Sequence, residues 1–334
     1  MKGLILAAGV GRRLEPVTRY TPKPLLPILH RPCIEPLIEL LVAAGIRDLA
    51  INRHHLPDQI ISRLGDGRRW GVRITYSYEP ELLAAMGTLK SLADFFAQEP
   101  VVMVNGDIVI DLDLPALIRF HQEQKAIATM ALKLVPGPLP APVGQDATGR
   151  MRQIRGVPAW NGEPLQEGVN VGVNLFEPQV WQEYVPAGVP YDLATQLYPD
   201  LLRHREPVFC FPVEGYWADI GTPEGYLQAH FDLLAQPVSR YFKGLEEWES
   251  GVWVGQGVRL SPGAVVQPPA VLADGCVIES EAQIGPYAVL GLGCRVELEA
   301  AVSWAVVWPG LTVPAGETVR GQWYHPWTAL GSED

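Results

Sequence analysis

Two glycines and two cations stand close together in a loop near the beginning of the chain. They are Gly9, Gly11, Arg13 and Lys23, within the stretch LILAAGVGRRLEPVTRYTPKPLLP. A glycine turn after an apolar strand lets backbone N–H groups approach phosphate oxygens, because no Cβ obstructs them. Prolines on both sides of Lys23 restrict the backbone that carries its ammonium group. The stretch therefore predicts a site for a phosphate-bearing ligand.

Two aspartates lie in distinctive motifs further along the chain. Asp107 ends a strand-like run in VNGDIVIDLDL, and Asp219 lies in YWADIGTPEGY. The strand before Asp107 places this carboxylate at the carboxyl edge of an open sheet, where α/β folds bind ligands. A lone aspartate after a strand is more often a helix cap or a turn residue, and we interpret Asp113 in DLDLPAL as a cap. The type and position of Asp107 and Asp219 alone therefore do not indicate a functional role, and the motifs around them have to be considered.

The composition excludes several classes of protein. The chain has 334 residues, of which 48% are hydrophobic and 19% are charged, so it is neither disordered nor fibrous. The net charge of -11, with no Lys/Arg run longer than two, argues against nucleic acid as a partner. The apolar run in MKGLILAAG is too short for a signal peptide or a membrane span. We therefore expect a cytoplasmic protein that binds no membrane.

The chain shows two patterns in succession. Up to about residue 240, apolar β-branched runs such as DLAINR and PVVMVNGD alternate with helical periodicity such as IEPLIELLVAAG. This alternation predicts an α/β fold with a Rossmann-like, mostly parallel sheet and helices on both faces. Beyond residue 250 the helical period disappears. We therefore expect two domains, 1–240 and 241–334.

A period of six residues replaces the helical period. Apolar residues recur in ten consecutive hexads, at Val254, Leu260, Val266, Leu272, Ile278, Ile284, Leu290, Val296, Val302 and Trp308. Four residues after most of them the side chain is small. The pattern resembles the hexapeptide repeat of left-handed parallel β-helices, in which three hexads make one coil. A β-sandwich is the alternative, but an alternation of period two does not produce a strict period of six.

The opening stretch resembles the signature of the sugar-phosphate nucleotidyltransferases, G-x-G-x-R-L-x-P-x-T-x-x-x-P-K-P. The matching residues are Gly9, Gly11, Arg13, Leu14, Pro16, Thr18, Pro22, Lys23 and Pro24. The motifs around Asp107 and Asp219 resemble the next two landmarks of this family. The resemblance implies that these two carboxylates share one Mg²⁺, which agrees with the preference of this cation for oxygen ligands.

The resemblance also implies a reaction. A sugar-1-phosphate oxygen attacks the α-phosphate of a nucleoside triphosphate, and pyrophosphate leaves. Mg²⁺ on Asp107 and Asp219 bridges the phosphates, Arg13 holds pyrophosphate, and Lys23 neutralises charge at the reaction centre. A phosphate monoester is already ionised at pH 7, so no general base is needed.

Base and sugar contacts follow from the same resemblance. LLAAMGTLKSL is similar to the family's L-G-T-A-G-A-L, and EGVNVGVNLFEP to its N-x-G-[IV]-Y-x-F segment. The implied nucleotide-binding residues are Leu6, Ala8, Gly9, Gly11, Arg12, Gly87 and Thr88. The implied sugar-binding residues are Asn170 and Gly172, although a close-packed strand glycine is the alternative for Gly172.

Two departures from the family pattern concern charge. Arg12 stands where the family often has threonine, and QIRGVPAWNGEPLQEG lacks the lysine of the usual E-K-P motif. The extra charge of Arg12 is a candidate replacement for that lysine. The missing lysine leaves the identity of the sugar open.

Several functions remain open within this resemblance. A nucleotidyltransferase with a hexapeptide β-helix is most similar to mannose-1-phosphate guanylyltransferases. Glucose-1-phosphate thymidylyl-, uridylyl- and adenylyltransferases, and a non-catalytic nucleotide-sensing subunit, are the alternatives. An additional acyltransferase activity is disfavoured because the repeat carries no histidine to act as base. The expected partners are a nucleoside triphosphate, a sugar-1-phosphate and further copies of the chain.

Two features of the repeat test its register. Cys276 and Cys294 occupy the same small position three hexads apart, which is one complete coil, so we expect them to stack as buried, unreactive thiols. The cysteines show no C-x-x-C spacing, so the sequence indicates neither a zinc site nor a disulfide framework. Trp304, Trp308, Trp323 and Trp327 lie near the end of the β-helix, where we expect them either to cap its last coil or to form a subunit contact.

Overall fold

The computed structural model describes residues 1–135, 137, 139 and 141–327. Two compact units make up the chain. The sheet unit comprises Met1–Val10 and Leu37–Trp217, and the β-helix unit comprises Gly11–Pro36 and the chain from Ala218 onward. The predicted boundary between residues 240 and 241 stays a prediction, and residues 328–334 of the predicted second domain lie outside the described residues.

Thirteen strands occur among the described residues up to Asp219. They are β1 (Lys2–Leu6), β2 (Pro27–Ile28), β3 (Arg31–Pro32), β4 (Asp48–Arg53), β5 (Arg73–Tyr78), β6 (Val101–Asn105), β7 (Ile108–Ile110), β8 (Ala128–Leu134), β9 (Val143–Gln145), β10 (Met151–Ile154), β11 (Gln166–Phe176), β12 (Val208–Pro212) and β13 (Trp217–Asp219).

Seven α-helices occur among the described residues. They are α1 (Ile34–Ala43), α2 (Pro57–Leu64), α3 (Ala84–Ser91), α4 (Ala93–Phe96), α5 (Leu114–Glu123), α6 (Tyr198–Arg203) and α7 (Pro223–Ala235). Other helical turns cover Arg12–Leu14, Val17–Arg19, Lys23–Leu25, Arg68–Trp70, Val180–Tyr184, Leu193–Leu197 and Ser239–Phe242. None of the helices that the structure describes is long and apolar enough to cross a membrane.

The sheet unit is built on one nine-stranded sheet. Its order is β10-β9-β11-β6-β1-β4-β5, with β8 also paired to β11 and β12 to β8. Strands β6, β1, β4 and β5 are parallel, whereas β11 runs antiparallel to β6 and β8. The prediction of an α/β fold with a mostly parallel core is confirmed, and the antiparallel region around β11 is additional.

The buried strands and the helix caps follow directly from the sequence. Leu4 and Met103 lie side by side in β1 and β6, and both are buried in the main core of the sheet unit. Asp113 accepts a hydrogen bond from the backbone N–H of Ala116 at 2.9 Å, so it caps α5 as the sequence predicts. Thr222 caps α7 in the β-helix unit.

The repeat region forms three sheets that run along a β-helix, and their strands are parallel except for β14, which is antiparallel to β15. After β14 its strands are short, as the hexad pattern predicts. They are β14 (Glu246–Glu249), β15 (Val252–Val254), β16 (Arg259–Leu260), β17 (Val265–Val266), β18 (Ala270–Leu272), β19 (Val277–Ile278), β20 (Gln283–Ile284), β21 (Ala288–Leu290), β22 (Arg295–Val296), β23 (Ala301–Ser303), β24 (Ala305–Val307), β25 (Thr312–Val313), β26 (Thr318–Arg320) and β27 (Trp323–Tyr324).

The cysteine register is confirmed. Val277 pairs with Arg295, so the residues before them, Cys276 and Cys294, are also one coil apart. Both thiols are free and fully buried. Burial raises the pKa of Cys276 to about 12 and that of Cys294 to about 11, which keeps both as unreactive thiols at neutral pH.

The tenth predicted hexad position is wrong. Leu290 pairs with Val307, which is fully buried, whereas Trp308 is only partly buried. The corner between Val302 and Ala305 has two residues, and the equivalent corner one coil earlier, between Ile284 and Ala288, has three. The coil from Leu290 to Val307 is therefore 17 residues long, one fewer than three full hexads, and the inward position moves back by one.

The C-terminal aromatic side chains pack within the β-helix unit. Trp323 is 7% exposed, and its ring lies 4.1 Å from that of Tyr226 and 5.8 Å from that of Trp308. Trp327 stacks on Tyr20, with ring centroids 4.7 Å apart and planes at 5°. Of the two predicted roles for these aromatics, the packing within the chain is observed.

Candidate functional site

A pocket of about 250 Å³ lies at the carboxyl ends of the parallel strands in the sheet unit. Open α/β sheets bind ligands at this edge, because the strands end there and the following loops leave a crevice. The lining residues are Leu6, Ala8, Gly9, Asn52, Glu79, Leu82, Ala84, Ala85, Thr88, Asn105 and Asp107. Five sequence-predicted site residues, Leu6, Ala8, Gly9, Thr88 and Asp107, are thus brought together.

A buried polar network forms one wall of this pocket. Asn52 donates from Nδ2 to Glu79 Oε1 at 2.8 Å and to Thr88 Oγ1 at 3.2 Å. Thr88 donates from Oγ1 to Glu79 Oε1 at 2.5 Å, and the backbone N–H of Leu83 donates to Glu79 Oε2 at 3.1 Å. The three polar side chains are each less than 5% exposed. Satisfied networks of this kind fix side-chain orientation, so the wall is rigid.

The same network reaches the loop after β1. Asn52 Oδ1 accepts from the backbone N–H of Ala7 at 2.7 Å. A Cβ added to Gly9 would meet no heavy atom within 4 Å, so the backbone of Gly9 borders open space. This is the property that a close ligand approach requires.

Asp107 is placed by a glycine. A Cβ on Gly106 would lie 2.6 Å from the carbonyl oxygen of Leu6, so only glycine lets β6 continue beside the end of β1. The backbone N–H of Gly106 donates to that carbonyl at 2.8 Å. The Asp107 carboxylate consequently follows β6 directly and lies on the pocket wall.

The two predicted sugar-binding residues lie on an irregular part of β11. Gly172 has a φ of +85°, and a Cβ there would lie 2.8 Å from Nδ2 of Asn105, which lines the pocket. The backbone N–H of Gly172 donates to Oδ1 of Asn170 at 2.8 Å. Gly172 therefore lets β11 approach the pocket wall, and Asn170 supports this bend.

Gly87 has a packing contact outside the pocket lining. A Cβ on Gly87 would lie 2.8 Å from the carbonyl oxygen of Val189 and 3.3 Å from the backbone nitrogen of Tyr191. The next residue, Thr88, lines the pocket. Gly87 thus brings α3 close to the 189–191 segment, and its predicted contact with a base stays a prediction.

The signature loop turns sharply at Gly11, in the β-helix unit. Gly11 has a φ of +72°, and its Cβ would lie 2.9 Å from Cγ2 of Thr18. Thr18 is buried and donates from Oγ1 to the carbonyl oxygen of Gly11 at 2.9 Å. The glycine and the threonine of the signature therefore fix the turn that precedes Arg12 and Arg13.

Three charged groups of the β-helix unit converge on one glycine. A Cβ on Gly221 would lie 2.6 Å from Nη2 of Arg13, 2.8 Å from Oδ1 of Asp219 and 3.2 Å from Nζ of Lys23. Lys23 Nζ itself lies 3.5 Å from Asp219 Oδ1. The Lys23 side chain is 8% exposed and that of Asp219 is 53% exposed. The arrangement presents two cations and one carboxylate around a backbone without a side chain, which suits a phosphate-bearing ligand.

The donor chemistry of the predicted metal ligands fits Mg²⁺. Asp107 and Asp219 supply carboxylate oxygens, the hard ligands that Mg²⁺ takes one or two at a time beside phosphates and water. No group of three or more His, Cys, Asp or Glu side chains suited to a metal occurs among the residues that the structure describes. Asp107 belongs to the sheet unit and Asp219 to the β-helix unit, and their shared metal stays a prediction.

Sequence reasoning missed three residues of these sites. Asn52 lies in the apolar run DLAINR, where one polar residue in a buried strand is a usable signal. Glu79 precedes a proline in an unremarkable loop, and nothing local marks it. Gly221 lies inside the quoted motif YWADIGTPEGY, but its role depends on side chains distant in sequence.

Comparisons with known proteins agree with this geometry. Residues 2–236 match the nucleotidyl transferase family. The chain is 33% identical over 311 residues to a UTP--glucose-1-phosphate uridylyltransferase of Synechocystis, an alignment that covers 83% of this chain and 80% of the relative. It is 28% identical over 287 residues to a mannose-1-phosphate guanylyltransferase of Mycobacterium tuberculosis, covering 84% and 76%.

A solved structure shares the fold. It is that of a Bacillus anthracis protein assigned as a glucose-1-phosphate thymidylyltransferase, crystallised with a sucrose. The two superpose with a TM-score of 0.61 at 26% identity, over 71% of this chain and 96% of the other. With the family match spanning most of the chain, these findings confirm the resemblance seen in the sequence: the protein belongs to the nucleotidyl transferase family.

Proposed function

We propose that the protein joins a nucleoside triphosphate and a sugar-1-phosphate to give a nucleoside diphosphate sugar and pyrophosphate, with Mg²⁺ as cofactor. The observation that carries the proposal is the convergence of Arg13, Lys23 and Asp219 on Gly221 in a chain of this family. Both substrates are anions, so the main barrier to their meeting is electrostatic repulsion. A guanidinium and an ammonium group at one point lower that barrier.

The side chains divide the work as follows. Lys23 is nearly buried, and a buried ammonium interacts with phosphate oxygens more strongly than an exposed one, because less water screens it. Arg13 offers a planar fork of donors that suits the leaving pyrophosphate. We assign Asp107 and Asp219 to Mg²⁺, which supplies positive charge to the phosphate oxygens when bound. The attacking phosphate is ionised at neutral pH, so no protein base takes a proton.

The pocket of the sheet unit is the proposed site of the nucleotide. Its rigid wall of Asn52, Glu79 and Thr88 faces a volume of about 250 Å³, and Gly9 leaves its backbone accessible. In this placement, Asp107, which lines the pocket, lies next to the phosphates of the bound nucleotide. Asn170 and Gly172 shape the adjoining strand, where we place the sugar.

Two substrate pairs are candidates. The combination of the signature with a hexapeptide β-helix favours mannose-1-phosphate and GTP. The 33% identity to a uridylyltransferase of glucose-1-phosphate over 83% of the chain favours glucose-1-phosphate and UTP. We retain the mannose-1-phosphate guanylyltransferase as the proposed activity and the uridylyltransferase as its competitor.

The test is pyrophosphate release from a grid of nucleoside triphosphates and sugar-1-phosphates, with and without Mg²⁺. We expect GTP with mannose-1-phosphate to give the highest kcat/KM. If UTP with glucose-1-phosphate gives the highest value instead, the protein is a uridylyltransferase of glucose-1-phosphate. Asp107→Asn and Asp219→Asn should each lower turnover on the order of 10²-fold, about 2.7 kcal/mol. A variant that kept more than about a tenth of the turnover at saturating Mg²⁺ would remove that residue from the metal site. Release from no pair at all would refute the proposed function.

We also propose that the protein works in the cytoplasm as a homo-oligomer. The β-helix unit exposes large apolar side chains at Val265, Leu292 and Leu298, which are 46–54% exposed, and such residues are common in subunit contacts. Light scattering on the purified protein tests this point. A mass of 36.7 kDa at all concentrations would refute it.

A further inference from the structure

A second pocket lies in the sheet unit, with a volume of about 540 Å³. It is formed by the beginning of β10, the 158–160 segment and the residues at and after the C-terminal end of α6. It shares no lining residue with the pocket that Asp107 borders. Its volume is in the range of pockets that bind small molecules.

Four arginines line this pocket, although the chain as a whole is acidic. They are Arg150, Arg152, Arg203 and Arg205. The formal net charge of the chain is -11, so an excess of basic residues in the whole chain does not explain why four arginines line one cavity. We propose that this pocket binds a small phosphorylated organic molecule at a site separate from the catalytic residues.

The charges around the pocket leave positive charge unbalanced. Arg152 Nε lies 2.7 Å from Asp146, and Arg203 Nη1 lies 2.7 Å from Asp200. Arg150 donates from Nη2 to two backbone carbonyl groups, those of Arg205 at 2.9 Å and Glu206 at 3.3 Å.

The third carboxylate of this region is partly engaged as well. Glu206 lines the pocket, and its Oε1 accepts from the hydroxyl of Tyr184 at 2.6 Å. Among the described residues that line the pocket or pair with its arginines, four guanidinium groups outnumber three carboxylates, so a bound dianion would be attracted. A phosphate monoester carries nearly two negative charges at neutral pH.

The hydrogen-bonding capacity of the arginines is largely unused. Each guanidinium has five N–H donors in a fixed plane. Within the described part of the chain, the contacts of these four side chains engage one nitrogen each of Arg150, Arg152 and Arg203. Those contacts hold the groups in place, and the other donors remain for the three acceptor oxygens of a phosphate.

The pocket also has an apolar wall, which favours an organic phosphate over the free ion. Trp160 and Leu202 line it beside the arginines. The guanidinium carbon of Arg152 lies 5.3 Å from the centroid of the Trp160 ring, so the cation and the aromatic surface are held together. An organic group attached to the phosphate gains contact with this wall, which inorganic phosphate does not.

The experiment uses glucose 6-phosphate and inorganic phosphate as probes, titrated calorimetrically into the full-length protein. Glucose 6-phosphate carries no phosphate on its anomeric carbon, so it lacks the group that reacts in the proposed catalysis. The pocket variant is Arg203→Gln/Arg205→Gln, since both side chains are exposed. The matched control is Arg68→Gln/Arg73→Gln, which removes two exposed arginines of the same unit, each paired with an aspartate as Arg203 is.

We expect glucose 6-phosphate to bind the wild type and the control alike, and the pocket variant at least about tenfold more weakly. Inorganic phosphate should bind more weakly than the sugar phosphate. Turnover without added effector should be the same in all three proteins. The proposal fails if glucose 6-phosphate does not bind up to about 10 mM, or if the control loses as much affinity as the pocket variant. It also fails if inorganic phosphate binds as tightly as the sugar phosphate.

Discussion

Replacing Gly221 by alanine separates the chemistry of the site from the stability of the fold. The new Cβ would lie 2.6 Å from Arg13 Nη2 and 2.8 Å from Asp219 Oδ1, whereas ordinary contacts begin at 3.4 Å. Restoring that distance moves the arginine by about 0.8 Å and the carboxylate by about 0.6 Å. The atoms that must move are the ends of flexible side chains, and Gly221 is not in the left-handed region of φ. The substitution therefore displaces functional groups at little cost in stability.

The expected loss of activity follows from these displacements. Misplacing catalytic groups by close to 1 Å costs up to about 10²-fold in rate. We expect Gly221→Ala to lower kcat by about 10- to 100-fold, which is about 1.4–2.7 kcal/mol of transition-state stabilisation. The free energy of unfolding should change by less than about 1 kcal/mol.

Steady-state pyrophosphate release and thermal unfolding measure the two effects. The control is Gly257→Ala, in the same unit, where a Cβ meets no atom within 4 Å but φ is +70°. That variant should lose about 1–2 kcal/mol of stability from left-handed strain and keep full turnover. Turnover of Gly221→Ala within twofold of the wild type would refute the convergence of charges on this glycine. A loss of stability larger than that of the control would show that packing is the cause.

Three further predictions concern single side chains. Lys23→Ala should lower kcat by about 10²-fold and Lys23→Arg by less, measured as pyrophosphate release. Equal turnover of the alanine variant and the wild type would show that Lys23 does not act in the site. Burial lowers the pKa of His230 to about 4, so below pH 6.5 the unfolded chain binds a proton that the folded chain does not, and stability falls as the pH drops. Between pH 7.5 and 5 the wild type should lose about 2 kcal/mol more than His230→Gln in urea unfolding, whereas parallel losses would contradict the neutral buried imidazole. Trp327→Ala removes the stack on Tyr20 and should lower the free energy of unfolding by about 1–3 kcal/mol. The control Trp248→Ala, at an exposed position, should show no such loss, and equal losses in the two variants would contradict a contribution from the stack.

The sequence predicts those features that depend on local periodicity. The strand β1 and the helix α5 follow from apolar spacing and from the cap Asp113. The stacking of Cys276 over Cys294 follows because three hexads return the chain to the same position. Period and cap chemistry act over a few residues, and one sequence is enough to read them.

The remaining features depend on contacts between distant parts of the chain. The hexad pattern selects Trp308 instead of Val307 because both are apolar, and only the shortened corner decides which of them points inward. Glu79 joins the pocket wall through Asn52 and Thr88, which lie on other elements. The role of Gly221 depends on the position of the Arg13 guanidinium group, which belongs to a residue about 200 positions earlier and which no local pattern predicts.

In the proposed reaction, a sugar-1-phosphate attacks the α-phosphate of a nucleoside triphosphate. Incubating the wild type with GTP labelled at the γ-phosphate and mannose-1-phosphate, or with the UTP and glucose-1-phosphate pair, tests it most directly. We expect all transferred label to appear in pyrophosphate, in an amount equal to the nucleoside diphosphate sugar formed. Label on the sugar, or released as inorganic phosphate in the absence of any pyrophosphatase, would contradict it.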